Sequence, residues 1–332
     1  MAAAAAAATA CRSLHLFLVV LAVSVSGVLS KSFTITNNCG YTVWPGILSG
    51  ERSPSLETTG FELPPGASQT LQAPAGWSGR LWGRTLCTTD GTANKFACAT
   101  GDCGSSAVSC GGGNAAPPAT LAEFTLDGSG GGMDFYDVSL VDGSNLPLLV
   151  APSGASPGAG NCAPTGCPVD LNAACPADLR VVVTSSSAAA DVNADDVVAC
   201  KSACLAFGSP RYCCSGEYAS PDTCGPSAYS EFFKNACPRA YSYAFDDATS
   251  TFTCAGGDTA YTVTFCPGTN SVKSSSPNSG APGDLPLING TMAYASGDQQ
   301  VGAAAATPST SRSVVVLLGA AVLVMLAGGA LS

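Results

Sequence analysis

GRTLCTTDGTANKFACATGDCGSSAVSC, residues 83–110, sets four cysteines in a stretch made largely of Gly, Ser, Thr and Ala. Such residues bury too little apolar surface to order themselves, so their order must come from covalent bridges. The pattern extends in both directions. The chain has 17 cysteines, and all but Cys11 lie between Cys39 and Cys266. An even set of that density reads as eight disulfides in a chain made for an oxidising compartment. Bridging consumes the thiols, which removes thiolate chemistry.

The ends of the chain agree with that compartment. Arg12, the apolar run Leu14–Leu29 and the small residues Ser26, Gly27 and Ser30 have the layout of a secretory signal peptide over 1–30, leaving Lys31 first in the mature chain. An uncleaved anchor is the alternative. After Cys266 the chain becomes rich in Ser, Pro, Gly and Ala, and 268–302 reads as a linker. Val314–Leu331 is uncharged and apolar, and the one nearby charge, Arg312, precedes it. Small residues at Gly302, Ala303 and Ala304, a polar spacer and an apolar tail fit a glycosylphosphatidylinositol (GPI) attachment signal. On that reading 303–332 is a removable propeptide and Gly302 the attachment residue, with Ser296 and Gly297 as alternatives. A spanning helix is the competing expectation. Asn289-Gly290-Thr291 is the sole N-glycosylation acceptor, placed in the linker.

Composition excludes several functions. Lys and Arg number 13 against 23 Asp and Glu, for a net charge of −10. That balance argues against nucleic acid and anionic membrane surfaces as partners. The single histidine, His15, leaves with the leader. Ser-His-Asp and Cys-His catalysis and His-ligated zinc are thereby excluded, and neither cofactor nor metal is expected. An enzyme built from this chain must use carboxylates.

Ser32–Asn37, Tyr41–Trp44, Gln69–Leu71, Gly79–Trp82 and Tyr261–Phe265 are short, β-branched or aromatic, and bounded by Gly, Pro or Asn. They predict strands of an antiparallel sandwich, hence a mainly β fold. Asp195–Phe207 predicts a helix with Cys200 and Cys204 on one face, and Ser227–Ala236 a second helix stopped before Pro238. The Gly130–Gly132 run predicts a turn before a strand.

Longer motifs are more specific. After residues 83–110 come PPATLAEFTL (117–126) and DFYDVSLVDG (134–143). YCC (212–214), CGP (224–226), YSEFFK (229–234) and YSYAFDD (241–247) follow in order. From about Ser32 to Pro267 the chain resembles the plant thaumatin-like proteins, the pathogenesis-related group that includes osmotin. The resemblance implies a β-sandwich core (31–84, 123–166 and 238–267), a small disulfide-loop module (85–122) and a disulfide-rich helical module (167–237). By order of cysteines it implies the pairs Cys39–Cys266, Cys87–Cys98, Cys103–Cys110 and Cys162–Cys254. The others are Cys167–Cys237, Cys175–Cys200, Cys204–Cys213 and Cys214–Cys224.

The same resemblance implies a cleft lined by Arg80, Glu123, Asp137, Asp142 and Asp247. Carboxylates crowded into one groove raise one another's proton affinity, and Arg80 is expected to hold a neighbour by a forked hydrogen bond. The implied function is binding of a β-1,3-glucan-type polysaccharide, with Phe135 and Tyr136 as candidate stacking rings. The alternatives are an endo-β-1,3-glucanase, with Glu123 as acid and Asp142 or Asp137 as nucleophile or base, and a protein-binding or inhibitory module. A monomer is expected at the outer face of the plasma membrane, in the apoplast or in the cell wall. Gly111–Gly113 stand where basic antifungal relatives often carry an aromatic residue, which argues against membrane permeabilisation.

Overall fold

The computed structural model describes residues 31–128, 132–154, 160–183, 195–255 and 259–268. The leader, Asn289, Gly302 and the terminal apolar run lie outside the described residues, as do Gly130 and Gly131.

Two sheets face each other across one core. The first runs β3 (Ser68–Ala73), β1 (Lys31–Asn37), β13 (Ala260–Phe265), β8 (Leu148–Ser153) and β9 (Thr165–Cys167). The second runs β12 (Phe252–Ala255), β7 (Met133–Ser139), β6 (Leu121–Gly128), β4 (Ser78–Asp90) and β2 (Trp44–Ser49), and β5 (Lys95–Thr100) pairs with the far half of β4. Alternation decides the faces. Phe33 and Ile35 of β1, and Ala122, Phe124 and Leu126 of β6, point inward and are buried. Phe33 sits 4.7 Å from Phe124 and 5.1 Å from Trp77, both edge-on, and Phe124 lies 5.2 Å from Tyr261. These interlocked rings join the sheets.

The sandwich is not wholly antiparallel. β1 and β13 are parallel, with Asn37 beside Phe265. That direction matters, because parallel strands finish at the same end of the sheet. Cys39 and Cys266 therefore emerge together, with Cα atoms 4.9 Å apart, and close a bridge across 227 residues of sequence. In an antiparallel pair they would lie at opposite ends. In the chain-entropy view such a loop is worth about 5 kcal/mol.

The segment 195–207 departs from the expected helix. Val197–Cys200 is a strand, β11, paired with β10 (Arg180–Val182), and only Ala203–Phe207 is helical, as α1. The backbone of Cys200 exchanges both hydrogen bonds with Ser144, at 2.7 and 2.8 Å. This tertiary bridge and the β-branched Val197–Val198 override the four-residue cysteine spacing. Cys200 and Cys204 thus share no helical face; Cys200 bonds Cys175, and Cys204 bonds Cys213. Helix α1 is capped by Ser202, whose hydroxyl accepts from Leu205 N. Pro210–Cys213 (α2) follows. Ala228–Ala236 (α3) starts with a Ser227–Ser230 capping box and buries Phe233.

Two strand limits also move. β2 starts at Trp44 rather than Tyr41, and β4 continues past residue 84 to Asp90, where it turns back into β5. Cys87 and Cys98 face each other across that hairpin and are bonded. The remaining bridges are Cys103–Cys110, Cys162–Cys254, Cys167–Cys237 and Cys214–Cys224. Adjacent Cys213 and Cys214 take different partners because Cys214 adopts the left-handed conformation that ends α2.

Candidate functional site

Register assembles most of the site. On the face of the second sheet turned away from the core, Arg80 of β4 stands opposite Glu123 of β6, and Glu123 opposite Asp137 of β7. Their strands are adjacent, so the three side chains form one row across the sheet. The inward neighbours Leu81, Ala122, Phe124, Tyr136 and Val138 lock each strand against slippage, since a one-residue slip would turn the row into the core.

Asp142 joins from the turn after β7. That turn is closed by Gly143 N donating to Leu140 O at 2.9 Å, while Asp142 O accepts from Ala119 N at 3.1 Å. Gly143 has φ +81°, and a Cβ there would stand 2.5 Å from Cys200 O and 2.9 Å from Pro118 Cβ. The turn is thus pressed between the helical module and the 117–118 segment, which fixes where Asp142 stands.

Asp247 opens the short helix α4 (Asp247–Ser250) and is placed by Tyr241, which the sequence reading gave no role. Tyr241 is bound to β7 by its backbone: its N donates to Val138 O at 2.8 Å and its O accepts from Leu140 N at 2.9 Å. Its hydroxyl then donates to Asp247 Oδ1 at 2.8 Å. Tyr241 therefore ties Asp247 to the strand that carries Asp137. The neighbouring Asp246 does something else. It accepts from Ser242 N and Oγ and forms an ion pair with Lys234 at 2.9 Å, so it holds the loop to α3. The signal for Tyr241 was present in YSYAFDD, but nothing in the sequence separated its hydroxyl from those of the nearby tyrosines.

The electrostatics are one-sided. Arg80 sets one positive charge against the four acids. Its contact with Glu123 Oε1 is 3.4 Å, longer than a charge-assisted hydrogen bond, so the expected fork is not made. Burial holds Glu123 above the usual carboxylate range; Arg80 pulls it down and Asp142 pushes it up again. Asp137 stands well above that range through burial, then the Glu123 charge, with Arg80 opposing and Asp247 adding. Asp142 is raised by burial, partly offset by Arg80. Asp137 Oδ1 is sealed from solvent without a hydrogen-bond partner, a property it shares among the described residues only with Asn172 Oδ1. Such a row offers carboxyl groups of raised proton affinity beside carboxylates, the pairing that both polyol binding and acid–base chemistry need.

The two candidate stacking rings separate. Tyr136 is 1% exposed within the core, and its hydroxyl donates to Ala163 O at 2.7 Å. Phe135 is 43% exposed on the face of the acid row. A small cavity borders the site, lined by Val141, Ser242 and Tyr243 beside Asp142 and Tyr241 and by Ser202, Arg211, Tyr212 and Phe233 of the helical module.

The geometry defines a class: a two-sheet β protein stapled by eight disulfides, with a line of carboxylates around one arginine on an open sheet face. The chain belongs to the thaumatin family, whose model matches residues 37–267. It is 56% identical over 256 residues to thaumatin-like protein 1 of Arabidopsis thaliana, covering 76% of this chain and 92% of that protein. Pathogenesis-related protein 5 of Arabidopsis thaliana is 53% identical over 255 residues, covering 77% and 98%. A Prunus avium protein named glucan endo-1,3-beta-glucosidase is 51% identical over 244 residues, covering 74% and 94%.

Proposed function

We propose that this is an extracellular thaumatin-like defence or cell-wall protein that binds a β-1,3-glucan-type polysaccharide along the acid row. The observation that carries this reading is the Arg80–Glu123–Asp137 register row on an open sheet face, undercompensated and extended by Asp142 and Asp247. An acidic groove repels anions, whereas a neutral polysaccharide brings many hydroxyl donors and no charge. The disulfide framework holds the row rigid before the ligand arrives. The pathogenesis-related and glucanase names of the relatives support both the setting and the ligand class.

Hydrolysis is the second reading, favoured by the raised proton affinity of Glu123 and by the name of the Prunus avium relative. Glu123 would then donate a proton to the glycosidic oxygen, with Asp142 or Asp137 as nucleophile or base. Incubation with a linear insoluble β-1,3-glucan separates the two. Saturable binding without new reducing ends is expected. Reducing ends that disappear in Glu123→Gln would establish the enzyme instead, and absence of binding would sink both readings. For the tether, we take the C-terminal segment as a GPI signal. Phosphatidylinositol-specific phospholipase should release the protein from membranes, and retention would indicate a spanning helix.

A further inference from the structure

The outer face of the first sheet, on the opposite side of the sandwich from the acids, carries no charge along β3, β1 and β13. Lys31 is the one charged residue in those three strands, and it is turned inward and buried. In a chain of net charge −10 that leaves an unusual surface. What the face carries is a register of hydroxyls. Thr34 of β1 stands between Thr70 of β3 and Thr262 of β13, and Thr36 stands between Ser68 and Thr264. Ser68 and Thr70 are exposed, and the other four are half-buried. Because β1 and β13 are parallel, Thr34-Ile35-Thr36 and Thr262-Val263-Thr264 run in step. Their threonines form a rectangle of about 4.8 Å across the strands by about 6.6 Å along them. Ile35 and Val263 are buried beneath it, and the Cys39–Cys266 bridge closes just beyond its end. The rectangle is thus fixed from below and from one side.

We infer that this face binds the surface of ice, with the threonine rectangle at its centre and Thr70 and Ser68 at its flank. The inference is independent of the glucan-binding reading. A face that repeats in two directions, without charges or aromatic rings at its outward positions, matches a partner that repeats in the same way. Water molecules in the faces of an ice crystal repeat at spacings close to these two. Each threonine offers a methyl group that sheds loosely held water and a hydroxyl that can take a lattice position. The hydroxyls stay available: Thr34 and Thr70 share one hydrogen bond at 3.1 Å, and Thr36 and Ser68 another at 2.9 Å. One such bond leaves each pair a donor and several lone pairs for water. A charged side chain would keep its own hydration shell and break the match, which the absence of charge avoids. Pinned strands also mean that little order has to be gained on contact.

Watching a single ice crystal in the purified protein, as the solution is cooled through its melting point, tests this. Wild type should facet the crystal and hold it from growing over a measurable interval. Fluorescently labelled wild type should also stay on ice washed free of solution. Thr262→Lys and Thr34→Lys each put a charge into the rectangle, on different strands, and each should abolish faceting and retention. Thr125→Lys makes the same change on the outer face of the other sheet and should behave as wild type. An unchanged protein melting temperature verifies the fold of each variant, and two positions guard against one that fails to fold. Round, unhindered crystals with wild type overturn the inference, as does activity that survives both lysines or is lost equally in Thr125→Lys. Adsorption to microcrystalline cellulose without adsorption to ice would assign the face to a polysaccharide surface and overturn it as well. Oligosaccharide binding at the acid row is measured separately, so its failure and that of the ice face are distinguishable.

Discussion

Asp134 and Asp137 lie three residues apart on β7 and point to opposite faces of the same sheet. Asp134 faces inward, fully buried, and every approach to it is a donor. Lys31 Nζ stands 2.5 Å from Oδ1, Asp127 N donates to the same oxygen at 2.9 Å, and Tyr261 Oη donates to Oδ2 at 2.7 Å. Asp127 gives Lys31 a second carboxylate at 2.7 Å. Burial works against the Lys31 ammonium, yet its bonds to the two acids outweigh that and raise its proton affinity. Asp137 faces outward with an unpartnered Oδ1, the Glu123 and Asp247 charges nearby and one arginine to share. One strand thus carries a saturated acid that holds the fold and an unsaturated acid that costs it stability. An unsaturated acid in a rigid framework is what the proposed binding site requires, and packing alone does not account for it.

Substitutions should divide along that line. Asp134→Ala leaves the Lys31 ammonium and the Tyr261 hydroxyl without their buried acceptor. A loss of about 3–5 kcal/mol is expected in denaturant unfolding with disulfides intact. A change under about 1 kcal/mol would mean that Asp134 is not the anchor its contacts suggest.

Asp137→Asn should have the opposite effect. Because the folded-state proton affinity of Asp137 is raised, its charge weakens the fold increasingly as pH climbs through that value. The variant should therefore melt higher than wild type near neutral pH. The gap should close as pH falls and be gone below about pH 4, where the acid is protonated folded or unfolded. Glucan affinity should fall at the same time, about ten-fold for a lost hydrogen bond to a charged group. Binding to ionised carboxylates should strengthen as pH rises through the raised values, whereas hydrolysis needing protonated Glu123 should weaken. The pH profile thus separates the two readings without mutation.

Tyr241→Phe is the gentlest probe. It removes the donor to Asp247 and should cost about 1 kcal/mol and a few-fold in glucan affinity. A binding defect without a stability change would place Tyr241 in contact with ligand.

The contrast also shows how far the sequence could be read. DFYD presents two equivalent acids around two aromatics, and alternation along a strand says only that neighbours face opposite ways. Which face is inward was decided elsewhere, by the inward runs of β6 and β4. For the same reason Phe135 and Tyr136 could not be told apart. The secreted, stapled β architecture was legible because cysteine density and short β-branched segments are local signals. The cleft identities came from family resemblance, and their geometry came from register, a long-range property. Parallel pairing of β1 with β13 was invisible because it involves the two ends of the domain. The strand at Val197–Cys200 was misread as helix because its determinant, the bridge to Ser144, lies outside the segment. Asp246 and Asp247 are adjacent acids whose roles parted on where Lys234 and Tyr241 happened to fall.

The most direct test follows the side-chain carboxyl carbons by NMR while a linear β-1,3-gluco-oligosaccharide is added. The Glu123 and Asp137 resonances should shift and saturate together, and that of Asp134 should stay still. Saturable binding that leaves Glu123 and Asp137 unmoved would place the glucan elsewhere and contradict the acid row as its site.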